Sequence, residues 1–178
     1  MRKQSGFSLI ELLIVVAIIL IIAAIAIPNL MRSKMVANQS AAAANLRTII
    51  SSQQAFAATY PSTGYAGGLF QLGPGAATCT APNPSAANAC LIDFQLGCAA
   101  GVPGGACVKE NYRYTITGIP GAAPYTDYVV FATATGPTLG RVDYCANGDD
   151  GSPRSVNVNN PPSAVINTVA GCAALAPL

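Results

Sequence analysis

The feature that most constrains this chain is near its start. Gly6-Phe7-Ser8-Leu9-Ile10-Glu11 is followed by sixteen uncharged apolar residues, Leu12 to Ile27, and then Pro28. At about 1.5 Å per residue, a helix from Phe7 to Ile27 is roughly 31 Å long. That matches a bilayer hydrocarbon core of about 30 Å. One carboxylate, Glu11, lies inside this span. A charge there costs on the order of 2.5–3.5 kcal/mol on insertion scales, so it calls for a partner.

Three readings treat Glu11 differently. A secretory signal peptide would use Arg2 and Lys3 as its basic region and Ala24-Ile25-Ala26 as its cleavage site. The apolar run exceeds the usual length of about 7–15 residues and carries an acid near its start. A plain single-pass anchor explains the length but gives Glu11 no purpose. The third reading removes a short leader, Met1 to Gly6, and leaves Phe7 as a new amino terminus. A free ammonium four residues from Glu11 can then neutralise a carboxylate within or between chains.

The stretch Lys3-Gln4-Ser5-Gly6-Phe7-Ser8-Leu9-Ile10-Glu11-Leu12-Leu13-Ile14-Val15-Val16-Ala17-Ile18, with Pro28 downstream, resembles the prepilin family of type IV pilins and type II secretion pseudopilins. The likeness covers about the first thirty residues and, loosely, the helix that follows. It implies a membrane-embedded aspartyl prepilin peptidase that cuts between Gly6 and Phe7 and N-methylates Phe7. It also implies a mature chain that waits in the cytoplasmic membrane before entering a helical filament, where Glu11 pairs with the Phe7 amine of a neighbouring subunit.

Charged residues make up only 9% of the chain, against 52% hydrophobic ones. Soluble domains average about 25% charged, so the balance is unusual. Removing Arg2 and Lys3 leaves seven basic and seven acidic side chains. No basic surplus remains to indicate nucleic acid. The six cysteines, Cys79, Cys90, Cys98, Cys107, Cys145 and Cys172, form no C-x-x-C pair, and histidine is absent. Both facts argue against structural zinc. An even cysteine count in a loop-rich region reads as disulfides in an oxidising compartment. Arg2 and Lys3 on one side of the span nearly balance Arg32 and Lys34 on the other. The cysteines therefore decide the orientation and put the C-terminal region outside.

Asn29 to Tyr60 holds no Pro or Gly and is rich in helix formers. Leu46, Ile49, Ile50, Phe56, Ala57 and Tyr60 recur around Gln53 on one face, opposite Arg47, Ser51, Ser52 and Gln54. The expectation is one helix over about 7–59, kinked near Pro28, where an amide donor is missing. Pro61 ends it. A segment dense in Gly, Pro, Ala and Ser runs to about Gly105, with Leu69-Phe70 and Leu91-Ile92 as its apolar patches. So long a loop needs stapling. Fifteen connectivities are open to six cysteines; the sequential one joins Cys79 to Cys90, Cys98 to Cys107 and Cys145 to Cys172. Strand patterns begin at Tyr112–Thr117 and continue at Tyr128–Thr135, Leu139–Tyr144 and Arg154–Val158, separated by short turns. They predict an antiparallel meander. The tail carries Pro161-Pro162, which resists further sheet.

The fold class expected is therefore α+β. A long N-terminal helix packs by its C-terminal half on a small antiparallel sheet within a disulfide-rich head. Its parts are a leader over 1–6, a helix over 7–59 (membrane or filament core 7–28, amphipathic 29–59) and a head over 60–178.

Lack of histidine excludes the usual Ser/His/Asp and Cys/His arrangements. Gly101 to Gly105 lacks the strand, lysine and helix of a phosphate loop. Asp143, Asn147, Asp149 and Asp150 could supply oxygens to calcium, and some pseudopilins hold calcium in this part of the fold. The same residues also make an ordinary Asn-Gly and Asp-Gly turn, so no cofactor is expected, with calcium the weak exception. Asn38-Gln39-Ser40 fits a glycosylation sequon but falls in mid-helix. Phe7, Phe56, Tyr60, Tyr65 and Phe70 read as helix-facing core rather than an electron path. Arg32, Lys34 and Arg47 read as interfacial anchors and solvated face.

The expected role is non-enzymatic: a subunit of a type IV pilus-like extracellular filament. Its partners would be copies of itself or related pilins, the prepilin peptidase, an assembly platform and, before assembly, the membrane. Two alternatives remain open. One is a pseudopilin in a periplasmic pseudopilus that drives secretion; the other is a secreted binding module cut after Ala26. An anchored hydrolase lacks any recognisable acid/base pair.

Overall fold

The computed structural model describes residues 7–75, 79, 84–98, 107–148, 151–157 and 168–178. The expected leader with Gly6, the acidic pair Asp149 and Asp150, Gly101 to Gly105, Val158 and Pro161-Pro162 lie outside them. The chain divides into two compact units, Met1–Lys34 and Met35–Leu178. Helix α1, Leu9–Thr59, contributes to both and includes Pro28. It begins two residues later than the apolar pattern suggests, because Phe7 and Ser8 precede the first helical turn.

Within Met35–Leu178, the second part of α1 packs on a five-stranded sheet. Strands β1 (Cys107–Lys109), β2 (Tyr112–Ile119), β3 (Asp127–Ala134), β4 (Val142–Asn147) and β5 (Arg154–Asn157) follow one another across it, and every neighbouring pair is antiparallel. Ala42, Leu46, Ile49, Ile50 and Phe56 of α1 share one apolar cluster with Tyr112, Tyr114, Ile116, Tyr128, Val130, Ala132, Tyr144 and Ala146. Burial of this stripe, at about 25 cal/mol per Å² of apolar surface, holds α1 to the sheet. Ser52 belongs to this buried face and not to the solvated one expected for it. Its hydroxyl donates to the Leu91 carbonyl at 3.4 Å.

The other sheet face is covered in part. Helix α4, Val169–Ala173, packs there through Cys172 against Val129 and Cys145, with Phe131 and Val156 around them. Strands β3 and β4 are thus covered on both sides, which is why β3 is apolar without a break from Tyr128 to Ala132, whereas β4 carries the buried polar Asp143 and Asn147. β2 alternates strictly between buried and more exposed positions. Expected strand Leu139–Tyr144 shifts to Val142–Asn147, because amides of Leu139 and Gly140 both bond to the Gly136 carbonyl in a turn. β1 lies N-terminal to the strand patterns that begin at Tyr112. It is three residues long and joins β2 through Glu110 and Asn111, both at positive φ (51° and 65°), the geometry of a type I′ hairpin.

Three disulfides staple this unit, each between sequence neighbours: Cys79–Cys90, Cys98–Cys107 and Cys145–Cys172. Two single-turn helices organise the loop between α1 and the sheet, α2 (Leu69–Leu72) and α3 (Phe94–Gly97). Asp93 caps α3 by accepting from the Leu96 amide at 3.0 Å, and it also meets the Lys109 ammonium at 2.6 Å. Partial burial works against ionisation of Asp93, but Lys109 and the α3 amides outweigh it and hold its carboxyl below the usual range. Gly73 and Gly97 touch backbone to backbone, so a Cβ on Gly97 would lie 2.6 Å from the Gly73 Cα. Gly64, at φ +74°, leaves room for the Tyr125 carbonyl, to which the Tyr65 amide donates at 3.0 Å.

Gln53 ties this loop to α1. Fully buried, its side chain donates to the Ala66 carbonyl at 2.9 Å and accepts from the Ala66 amide at 2.8 Å. Replacing Gln53 by Leu strands both backbone groups, and thermal unfolding of the detergent-solubilised chain should show a loss of at least about 2 kcal/mol.

Asp143 is buried in β4 and continues the β3–β4 ladder after regular pairing stops at Ala132 and Tyr144: its Oδ1 accepts from the Ala134 amide at 2.9 Å. Burial pushes its carboxyl above the ordinary range, and the Ala134 bond offsets this only in part. A pKa raised by folding means that the stability present below the ordinary aspartate range is lost as pH rises through the raised value. Asp143→Asn keeps the acceptor without the charge. It should melt higher than the native chain at pH 7, with the gap closing near pH 3; a variant that is less stable at both pH values contradicts this.

Candidate functional site

The first unit carries the surface that its own chain leaves uncovered. Every apolar side chain larger than alanine between Phe7 and Ile27 is exposed, from 47% at Val16 to 84% at Phe7. This part of α1 is long and apolar enough to cross a membrane, by length and composition. Leu30, Met31 and Val36 extend the exposed apolar surface past Pro28. Arg32 and Lys34 stand exposed in the next turn, and the Ser33 hydroxyl donates back to the Asn29 carbonyl at 3.0 Å. Pro28 is accommodated inside the helix, where it can donate no amide to the preceding turn.

Glu11 lies in the first turn of α1. Its Oε2 accepts from the Ser8 amide at 3.0 Å, and the Leu12 amide donates to the Ser8 carbonyl at 3.3 Å. A carboxylate there also faces the positive end of the helix dipole. Ser8 is the residue that the sequence reading passed over. The signal was present as Ser8-x-x-Glu11, the spacing by which a third helical residue reaches back to the amide of the cap.

Other candidates disperse. Asp143 and Asn147 occupy one strand four residues apart, about 13 Å along it, while calcium ligands sit at about 2.3–2.6 Å from the ion. One ion cannot touch both. The Asp143 Oδ1 already accepts from Ala134. Asn147 is buried, and its Oδ1 has no hydrogen-bond partner among the described residues. One such oxygen falls short of the six to eight that calcium takes, on the order of the usual shell. Asp149 and Asp150 lie outside the described residues. Among the described residues no three His, Cys, Asp or Glu side chains gather as a metal set.

The sequon residue Asn38 is turned into the fold, with its Nδ2 donating to the Leu139 carbonyl at 2.9 Å. Of the aromatic residues expected in the core, Phe56 is fully buried and Tyr60 and Tyr65 pack against the main cluster. Phe7 and Phe70 are exposed instead. Phe56 with Tyr60, and Tyr65 with Tyr128, stack at centroid distances of 4.9 Å. These are the tilted and edge-on contacts of packed cores. Arg47 is exposed, as its place on the solvated face requires.

Residues 1–27 match the family model described as a prokaryotic N-terminal methylation motif. The type IV major pilin protein PilA of Myxococcus xanthus is 50% identical over 54 residues, which is 30% of this chain and 24% of that protein. The type IV wide pilus major component PilA4 of Thermus thermophilus is 46% identical over 56 residues, 32% of this chain and 43% of that protein. The chain thus matches less than half the length of either relative. No solved structure matches it at a significant level. The family match lies on the apolar segment and the Glu11 turn, and there this chain is similar to type IV pilin proteins.

Proposed function

We propose that this chain is a structural subunit of a type IV pilus-like extracellular filament and has no catalytic role. The observation that carries the reading is the pairing of one first-turn carboxylate, Glu11, with a helix surface that is apolar and uncovered on all sides. Before assembly that surface is matched by lipid, with the chain anchored once in the cytoplasmic membrane and the disulfide-stapled unit outside. Removal of Met1 to Gly6 by a prepilin peptidase frees the Phe7 amine, which is then N-methylated. In the filament, apolar half-helices from many copies pack together. Moving them from lipid to a bundle gains little from water exclusion, so close packing and polar contacts must set the register. A Phe7 ammonium from one subunit against Glu11 of the next supplies such a contact, with both charges neutralised away from water. An assembly platform in the membrane would deliver the subunits.

Replacing Glu11 by Ala should leave membrane insertion intact while incorporation into sheared filaments falls by roughly tenfold or more. Mass spectrometry of the native mature chain should find N-methylated Phe7 as its first residue. Normal filaments from the Ala variant, or a mature chain starting at Ile27, would refute the proposal.

A further inference from the structure

If the chain is a prepilin, Glu11 faces a difficulty before the leader is removed. Until then Phe7 is joined to Gly6 through an amide and carries no ammonium. An amine that appears only after cleavage cannot stabilise the carboxylate of the precursor. The structure supplies a different partner. Phe7 and Ser8 precede α1, Ser8 occupies the cap position, and its backbone amide donates to Glu11 Oε2 at 3.0 Å. The first amides of a helix have no acceptor within it, and in hydrocarbon no water replaces one. The bond therefore satisfies an orphan donor and an unpaired carboxylate together.

We infer that Ser8 is a positioning residue for Glu11, its backbone amide fixing the carboxylate in the precursor and continuing to hold it through assembly. This rests on the filament reading above. An ionised carboxylate offers about four acceptor positions on two oxygens. Ser8 takes one of them on Oε2, leaving Oε1 open to a cation from a neighbouring chain. The cap and the neighbour's amine are thus compatible, and the amine meets a carboxylate whose rotamer is already set. The backbone, not the Ser8 hydroxyl, makes the contact. The demand on residue 8 is for an amide at this place, three residues before an acid.

The test uses the full-length, leader-bearing chain, isotopically labelled and held in detergent micelles. The measured quantities are the Ser8 amide proton shift and its hydrogen-exchange rate. Glu11→Ala should speed Ser8 exchange by roughly tenfold and move its proton upfield, with amides from Val15 to Ile25 unchanged. Glu11→Gln retains an oxygen acceptor and should restore the native Ser8 signature. The processed chain should show the same Ser8 protection as the precursor. Equal Ser8 exchange in the native and Ala chains overturns the inference, as does protection that appears only after cleavage. No filament is formed in this measurement, so its failure leaves the proposed function standing or falling on the assembly experiment alone.

Discussion

A helix that is apolar on every side in one half and on one side in the other can satisfy only the second half with its own chain. In α1 the second half is satisfied by Leu46, Ile49 and Phe56 against the sheet. The first half, through Ile27, stays exposed. Everything else in the molecule accommodates this split. A modest sheet is enough because it need cover only one stripe, and the small core is supplemented by three disulfides.

Polar groups inside the apolar regions follow one rule in both units. The Asn147 Oδ1 aside, each group named next has a partner close by in the same unit. Gln53 is matched to both backbone groups of Ala66, Asp143 to the Ala134 amide, and Glu11 to the Ser8 amide. Burial pushes the Tyr114 hydroxyl up to about 12, so it stays neutral and shares the Asn45 side chain with Glu110. Asp143 is the exception that remains electrostatically costly, because an amide alone does not offset the loss of water around a carboxylate.

Local patterns in the sequence were sufficient wherever one force dominated. From Asn29 to Thr59, absence of Gly and Pro together with a single apolar stripe defined the helix, and in β2 a strict two-residue period defined a strand covered on one face. Patterns failed where tertiary contacts decide. β1 is too short to show a period and exists through its ladder with β2. The one-turn helices α2 and α3 sit in Gly-rich chain and depend on the Gly73–Gly97 approach and on the Asp93 cap. Ser52 looked solvated because the Leu91 segment that covers it is distant in sequence. In the candidate site, the apolar span and Glu11 were plain to read. The Ser8 amide was not, since backbone donors have no letter in a sequence and show only through the spacing of the side chain that reaches them.

All six cysteines lie beyond α1, and every bridge closes a loop of 9, 11 or 27 residues. None of them welds the long helix to the sheet. The peptide chain that leaves α1 at Thr59 is therefore its one covalent tie to the sheet, and the Leu46, Ile49 and Phe56 stripe is otherwise held by packing and hydrogen bonds. Reducing agents would thus slacken the loops and α4 around the sheet while leaving that stripe untouched.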